Sequence, residues 1–142
     1  MKTVKRVLEA KGREIYSTTP DTTVFDALEE MAERNVGALI VLDDGEVVGI
    51  FSERDYARKI ILLGRSSRET PVRDIMTTRV VYARPDLSLE ECLALMTDKR
   101  IRHLPVMEDD ELVGVVSIGD LVKGIIQEQR FIIEQLEGYV SR

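Results

Sequence analysis

The sequence predicts an α+β fold made of two β-α-β-β-α units, and three observations carry that prediction. The first is an internal repeat: Pro20 to Asp55 recurs without a gap 65 positions later as Pro85 to Asp120, with 12 of 36 aligned positions identical. The second is an apolar stripe of helical period in each copy, and the third is a pair of short apolar runs across a turn. Self-similarity at a fixed period means one supersecondary unit used twice. Two copies favour a closed pseudo-twofold pair over an open solenoid, with a cleft between them as the natural ligand position.

Each element follows from local pattern. Residues 2–11 are expected to form a short helix of the first half. Glu14–Ser17 and Val80–Tyr82 are β-like pieces, each ended by Pro-Asp. Val24, Ala27, Leu28, Met31 and Ala32 then mark one helix face, repeated by Leu89, Cys92, Leu93 and Met96. Ser88 with Glu91 reads as a capping box, and Thr23 with Asp26 as its weaker counterpart. Ala38–Leu42 and Val47–Phe51 flank Asp43-Asp44-Gly45 as antiparallel strands, and Leu104–Met107 and Leu112–Val116 repeat them. A second helix starts near Ser52 or Ser117. Gly64–Pro71 is a polar linker, and Val72–Met76 leads into copy two. The predicted division is 1–65, 66–79 and 80–142.

The last helix is longer than its counterpart. Leu121, Val122, Ile125, Ile126, Gln129, Ile132, Ile133, Leu136, Tyr139 and Val140 step at three and four. Part of this stripe covers the core; the remainder predicts a homodimer interface, with packing on the N-terminal helix as the alternative.

Composition excludes several classes. At 142 residues, 44% hydrophobic and 32% charged, the chain suits one shared core. No apolar run reaches the roughly 20 residues of a membrane span, and no signal-peptide core opens the chain. A single cysteine, Cys92, fits a reducing cytoplasm. Net charge −6 argues against a nucleic-acid partner, although residues 1–13 and 54–73 are locally basic. No Walker loop, nucleophile elbow or His/Glu metal motif occurs, His103 has no second ligand at metal spacing, and the expectation is a non-enzyme with no catalytic cofactor.

Both copies end in Gly-x-x-Ser-x-x-Asp, Gly49 to Asp55 and Gly114 to Asp120. Ser-x-x-Asp at a helix start is what an N-terminal cap looks like. It also suits a nucleotide: the helix terminus favours phosphate, the Asp can accept ribose hydroxyls, and the Ser can reach either. Gly37 and Ala38 would let a flat base approach the main chain. Arg54, Arg102 and His103 would supply cationic donors for phosphate.

The chain resembles a tandem pair of cystathionine-β-synthase-type (CBS) domains, the Bateman module, over about 130 of its 142 residues. The matching strings are PDTTVFDALEEMAERNVGALIVLDDGEVVGIFSERDYAR, VRDIMT and LSLEECLALMTDKRIRHLPVMEDDELVGVVSIGDLVK. The resemblance implies two pockets between the copies that take AMP, ADP, ATP, NAD or S-adenosylmethionine. It implies that Asp55 and Asp120 hold ribose, with Ser52 and Ser117 standing where the family often has Thr. Arg102, His103, Leu104 and Pro105 match a segment giving phosphate and backbone contacts, and Gly37, Ala38 and Leu39 are its baseless equivalent. Thr18 and Tyr82 are candidate pocket walls; Val80, Ile118 and Gly119 complete the implied ligand contacts. Arg54 stands where copy two has Gly119, so the two pockets are not expected to be equal. The implied function is a sensor of adenine nucleotides acting on a separate regulated protein; the alternative is a ligand-independent dimerisation scaffold.

Overall fold

In the computed structural model, which describes residues 2–140, the chain divides into two compact units. One spans Ile15–Val80; the other joins the residues up to Glu14 with those from Val81 onward. The expected division at 1–65, 66–79 and 80–142 therefore follows the chain but not the packing.

The helix expected near the N-terminus forms as α1 (Val4–Lys11), but it belongs to the second unit. Its buried face, Val4, Val7 and Leu8, joins a core with Leu89, Cys92, Met96, Leu104, Val106, Val116 and Leu121. Backbone bonds fasten its start to the second repeat: the Val4 N–H donates to Leu87 O at 2.9 Å and the Lys5 N–H to Pro85 O at 2.9 Å. Val72–Met76, expected to lead into copy two, does the same for copy one. The Val72 N–H donates to Thr22 O at 2.8 Å, the Arg73 N–H to Pro20 O at 3.0 Å, and Val72 and Ile75 are buried in the first core. Each repeat is thus completed by a segment that precedes the other one. Gly64–Pro71 is also not a free linker, since Thr70 O and Ser67 O accept the N–H groups of Val24 and Phe25, which open a helix of the same unit.

In the first unit, β1 (Ser17–Thr18) runs parallel to β2 (Ala38–Asp43), which pairs antiparallel with β3 (Glu46–Ser52). Between β1 and β2 lies α2 (Val24–Arg34), which buries Val24, Ala27 and Met31. Thr23 caps it by accepting the Asp26 N–H, without a reciprocal bond. After β3 comes one turn of helix, α3 (Glu53–Tyr56), continued by π-helical turns over Ala57–Ile61. Val72–Asp74 forms a short 3-10 turn.

The second unit repeats this order with α4 (Leu89–Lys99), β4 (His103–Glu108), β5 (Glu111–Ser117) and α5 (Ile118–Val140). Ser88 and Glu91 form the predicted capping box on α4. The first strand of this copy is reduced to one parallel bridge, Ala83 with Val106, rather than Val80–Tyr82. Helix α5 is unbroken for 23 residues, about 35 Å at 1.5 Å per residue. Leu121 and Gly124 are buried against α1 and α4, whereas Phe131, Ile133 and Leu136 are 62%, 53% and 61% exposed. The alternative expected for the stripe, packing on the N-terminal helix, is met at its beginning, which α1 covers, and the end of the stripe is exposed. Among the described residues no helix is long and apolar enough to cross a membrane.

Two details explain repeated residues. Both hairpins slip register at the same place, Val41/Leu42 and Val106/Met107, so the bulge is part of the unit. The glycine beside it admits a close neighbour: a Cβ on Gly114 would meet Leu8 Cδ2 at 2.7 Å, and one on Gly49 would meet Met76 Sδ at 2.8 Å and Thr77 O at 2.9 Å. The hairpin turns differ. Asp44-Gly45 is a type I′ pair with φ of 51° and 80°, but Asp109-Asp110 places two non-glycine residues at 50° and 63°.

Two stability outcomes follow. Asp110→Gly should raise the urea midpoint, adding about 0.5–1 kcal/mol by relieving a left-handed aspartate. Gly114→Ala should cost about 1–3 kcal/mol through overpacking against Leu8. Leu8→Ala in the same chain should cost less than it does alone, a non-additivity read from a double-mutant cycle.

Candidate functional site

Strand register brings the predicted residues together within each unit. Ala38 pairs with Ser52 and His103 with Ser117, while the Glu53 N–H donates to Gly37 O and the Ile118 N–H to Arg102 O. The start of one strand therefore lies beside the corner where the next strand becomes a helix. Leu39 and Leu104 are buried in the two cores and Pro105 is buried on the other face of its strand, which leaves the flanking Gly37, Ala38, Arg102 and His103 at the edge.

Each corner is a cap in full. In the first, the Ser52 N–H donates to Asp55 Oδ2 at 3.0 Å and the Asp55 N–H donates to Ser52 Oγ at 3.2 Å. In the second, the Ser117 N–H donates to Asp120 Oδ2 at 2.9 Å and the Asp120 N–H to Ser117 Oγ at 3.1 Å. The capping reading of Ser-x-x-Asp is correct for both copies, and it orients the carboxylate rather than excluding a ligand role.

The surroundings of the two carboxylates differ. Asp55 is 8% exposed. Its Oδ2 also accepts the Ser52 hydroxyl at 3.0 Å, and its Oδ1 takes the Thr77 hydroxyl at 3.1 Å and Lys59 Nζ at 3.2 Å. Lys59 is itself anchored to Ile75 O at 2.9 Å. Both oxygens of Asp55 are therefore occupied within the first unit.

Asp120 is more open, with 24% of its side chain exposed. Lys11 Nζ, from α1, reaches Oδ2 at 2.6 Å and also donates to Val115 O at 3.0 Å. Oδ1 accepts no hydrogen bond among the described residues. Burial alone would raise the pKa of Asp120, but the hydrogen bond from Lys11, that from the Ser117 N–H, and the Lys11 charge together hold it below the usual carboxylate range. Asp120 is thus an anion at neutral pH.

His103 corrects an expectation. Burial, reinforced by Lys11 and Arg102 against the opposing pull of Asp120, lowers its pKa from the ordinary imidazole value. It is neutral at pH 7, a hydrogen-bonding group rather than a cationic donor for phosphate. Thr18 lies half-buried in β1, Val80 is half-buried at the end of the first unit, and Tyr82 is exposed in the second. Arg54 and Gly119 occupy the exposed first turns of α3 and α5, with Ile118 half-buried beside Gly119.

Three residues of these sites escaped the sequence reading. Lys59 was findable, because Asp55 and Lys59 stand at i,i+4 on one helix. Thr77 and Lys11 were not, since their partners are 22 and 109 positions away with no local pattern linking them. Cys92 is buried, its thiol pushed up to about 11 by desolvation, in keeping with a core role.

Comparison with known proteins agrees with this architecture. The CBS domain family model matches twice, over residues 7–62 and 72–127. The mitochondrial CBS domain-containing protein CBSX3 of Arabidopsis thaliana is 42% identical, covering 98% of this chain and 72% of that protein. A CBS-domain protein structure from Burkholderia ambifaria superimposes with a TM-score of 0.87 at 50% identity, covering 90% of this chain and 96% of the other. The CBS domain pair of protein MJ0100, solved with 5-methylthioadenosine and S-adenosyl-L-methionine, has a TM-score of 0.76 over 87% of this chain and 99% of that one, and at 22% identity it shares the fold. With two family matches spanning both repeats, the chain belongs to the CBS domain family as a tandem pair.

Proposed function

We propose that this CBS pair is a regulatory module that binds an adenosine-containing ligand and signals to a separate protein, without catalysing a reaction on it. The observation that carries the reading is Asp120: an ionised, partly buried carboxylate, oriented by its own cap, with Oδ1 left open at the start of α5. Vicinal ribose hydroxyls are the complementary partner, since two O–H groups can donate to one carboxylate. Ser117 Oγ and the α5 terminus stand ready for a neighbouring polar or phosphate group. The neutral His103 and the backbone at Arg102 offer the uncharged contacts that a base edge needs. The same fold in MJ0100 accommodates two ligands that share an adenosine, which supports the class rather than the member. AMP, ADP, ATP, NAD and S-adenosylmethionine all present that ribose. Binding would order the corner and shift the population of chain conformations that a partner sees.

A second reading has its own observation. The exposed apolar end of α5 supports a homodimer, and a scaffold role would need nothing more. The two readings separate cleanly in solution.

A thermal-shift panel of AMP, ADP, ATP, NAD and S-adenosylmethionine should find at least one stabilising ligand, with about 2.7 kcal/mol gained at a hundredfold excess over Kd. Asp120→Ala should weaken that ligand by about 1.5–3 kcal/mol, roughly ten- to hundredfold, in calorimetry. Equal affinity in wild type and variant would remove Asp120 from the site. Leu136→Glu should shift sedimentation equilibrium toward monomer if α5 joins two copies, and leave ligand affinity unchanged. Chromatography after incubation with ATP or NAD should return the nucleotide intact; turnover would overturn the non-catalytic assignment.

A further inference from the structure

The helical segment that follows Ser52 ends in an exposed aliphatic turn of the first unit. Ile60 is buried in that unit's core, but the next three residues, Ile61, Leu62 and Leu63, are 58%, 76% and 66% exposed. Gly64 closes the turn at φ 68°: its N–H donates to Ile61 O at 3.2 Å, and the Arg65 N–H donates to Ile60 O at 2.9 Å. A Cβ on Gly64 would meet nothing within 4 Å, so the turn faces open space. Cations flank it. Residues 54–73 hold six bases against two acids, Asp55 and Glu69, in a chain whose net charge is −6. Part of this charge is compensated within the unit, Lys59 by Asp55, Arg65 by Asp74 at 3.2 Å and Arg73 by Asp21. Arg58 and Arg68 are exposed and make no ion pair among the described residues, Arg68 lying over the Phe25 ring at 3.9 Å. Arg58 stands about one helical turn before Leu62, and Arg65 and Arg68 lie on the segment that leaves Gly64.

We propose that this turn is a membrane-surface contact. The aliphatic side chains enter the interface of a bilayer that carries anionic lipids, and Arg58 and Arg68 stay at headgroup level. The inference goes beyond the nucleotide reading and does not rest on it. Shape favours lipid over a folded partner. At roughly 100° per residue, three successive side chains fan over more than half the helix circumference. A groove on a protein takes one helix face at three- and four-residue spacing, whereas a fluid interface admits the whole fan. Charge points the same way. Arginine stems lie along apolar surface while their guanidinium groups meet lipid phosphates. Nucleic acid would engage the arginines and leave Ile61, Leu62 and Leu63 in water. The exposed end of α5 is more apolar but carries the wrong sign: Glu128, Glu134 and Glu137 stand there against Arg130, and an anionic surface repels them. Since no helix among the described residues is long and apolar enough to cross a membrane, the contact is peripheral and reversible, and it needs the aliphatic and the cationic parts together.

The test is vesicle flotation of the full chain with phosphatidylcholine alone and with phosphatidylcholine and phosphatidylserine in equal parts. Wild type should float with the anionic vesicles and stay behind with the neutral ones, and added salt should release it. The double variant Leu62→Ser, Leu63→Ser should lower the bound fraction about tenfold, and Arg58→Ala about threefold. These side chains are exposed, so their loss leaves the fold intact, as matching melting curves would verify. Leu136→Glu, at the far end of α5, should still float. Absence of flotation with anionic vesicles, equal flotation with neutral ones, or flotation unchanged in the double serine variant would overturn the proposal. Flotation lost in Leu136→Glu but kept in the double serine variant would move the contact to α5 and refute it. A dimer that the two serines dissociate in sedimentation equilibrium, without vesicle binding, would refute it and give the turn to a second copy. Retention of RNA that Arg58→Ala abolishes, without flotation, would refute it in favour of nucleic acid.

Discussion

A four-residue hydrogen-bonded corner sets the geometry on which the rest depends. In each copy the serine that ends a strand exchanges bonds with the aspartate one turn into the following helix, at 3.0 and 3.2 Å in the first and 2.9 and 3.1 Å in the second. The exchange satisfies helix-terminal N–H groups that would otherwise be orphaned, and it holds a carboxylate at a defined point. Hairpin register then delivers the start of the neighbouring strand to the same point, Ala38 opposite Ser52 and His103 opposite Ser117. One local device therefore terminates a strand, starts a helix and presents an acceptor.

Duplication copied the corner and not its neighbours. Around Asp55 the chain supplies a hydroxyl from Thr77 and an ammonium from Lys59, both from the same unit, and the carboxylate becomes a buried junction. Around Asp120, among the described residues, it supplies Lys11, from an eight-residue helix near the start of the chain. The longer helix leaves a lysine-lined hollow beside the acid, where the first unit has only a 3-10 turn. Identical motifs thus carry different burdens: one weighted toward holding structure, the other left open to solvent. The difference lies in which segment completes each core.

Much of this was legible in the sequence. The helical stripes on α2 and α4, the hairpins, the capping box at Ser88 and the helix starts at Ser52 and Ser117 are local patterns, and they appear where periodicity and capping chemistry put them. The placement of α1 was not legible. Val4, Val7 and Leu8 announce a helix with one buried face, but periodicity does not say which core receives it. Periodicity likewise does not reveal why Gly49 and Gly114 recur within the strands, where Met76, Thr77 and Leu8 press against them. Within the site, the motif residues were readable and their regulators were not. Lys11 meets Asp120 across 109 positions, and the lowered pKa of His103 arises from burial that only the folded strand creates.

The most direct test of the central claim is a backbone amide spectrum of isotopically labelled protein titrated with AMP. The account predicts that the largest shifts fall at Ser117 to Leu121 and Arg102 to His103, with Lys11 following and Ser52 to Asp55 moving less. Saturating AMP that leaves the Ser117 to Leu121 amides unmoved, or moves chiefly the exposed end of α5, would contradict it.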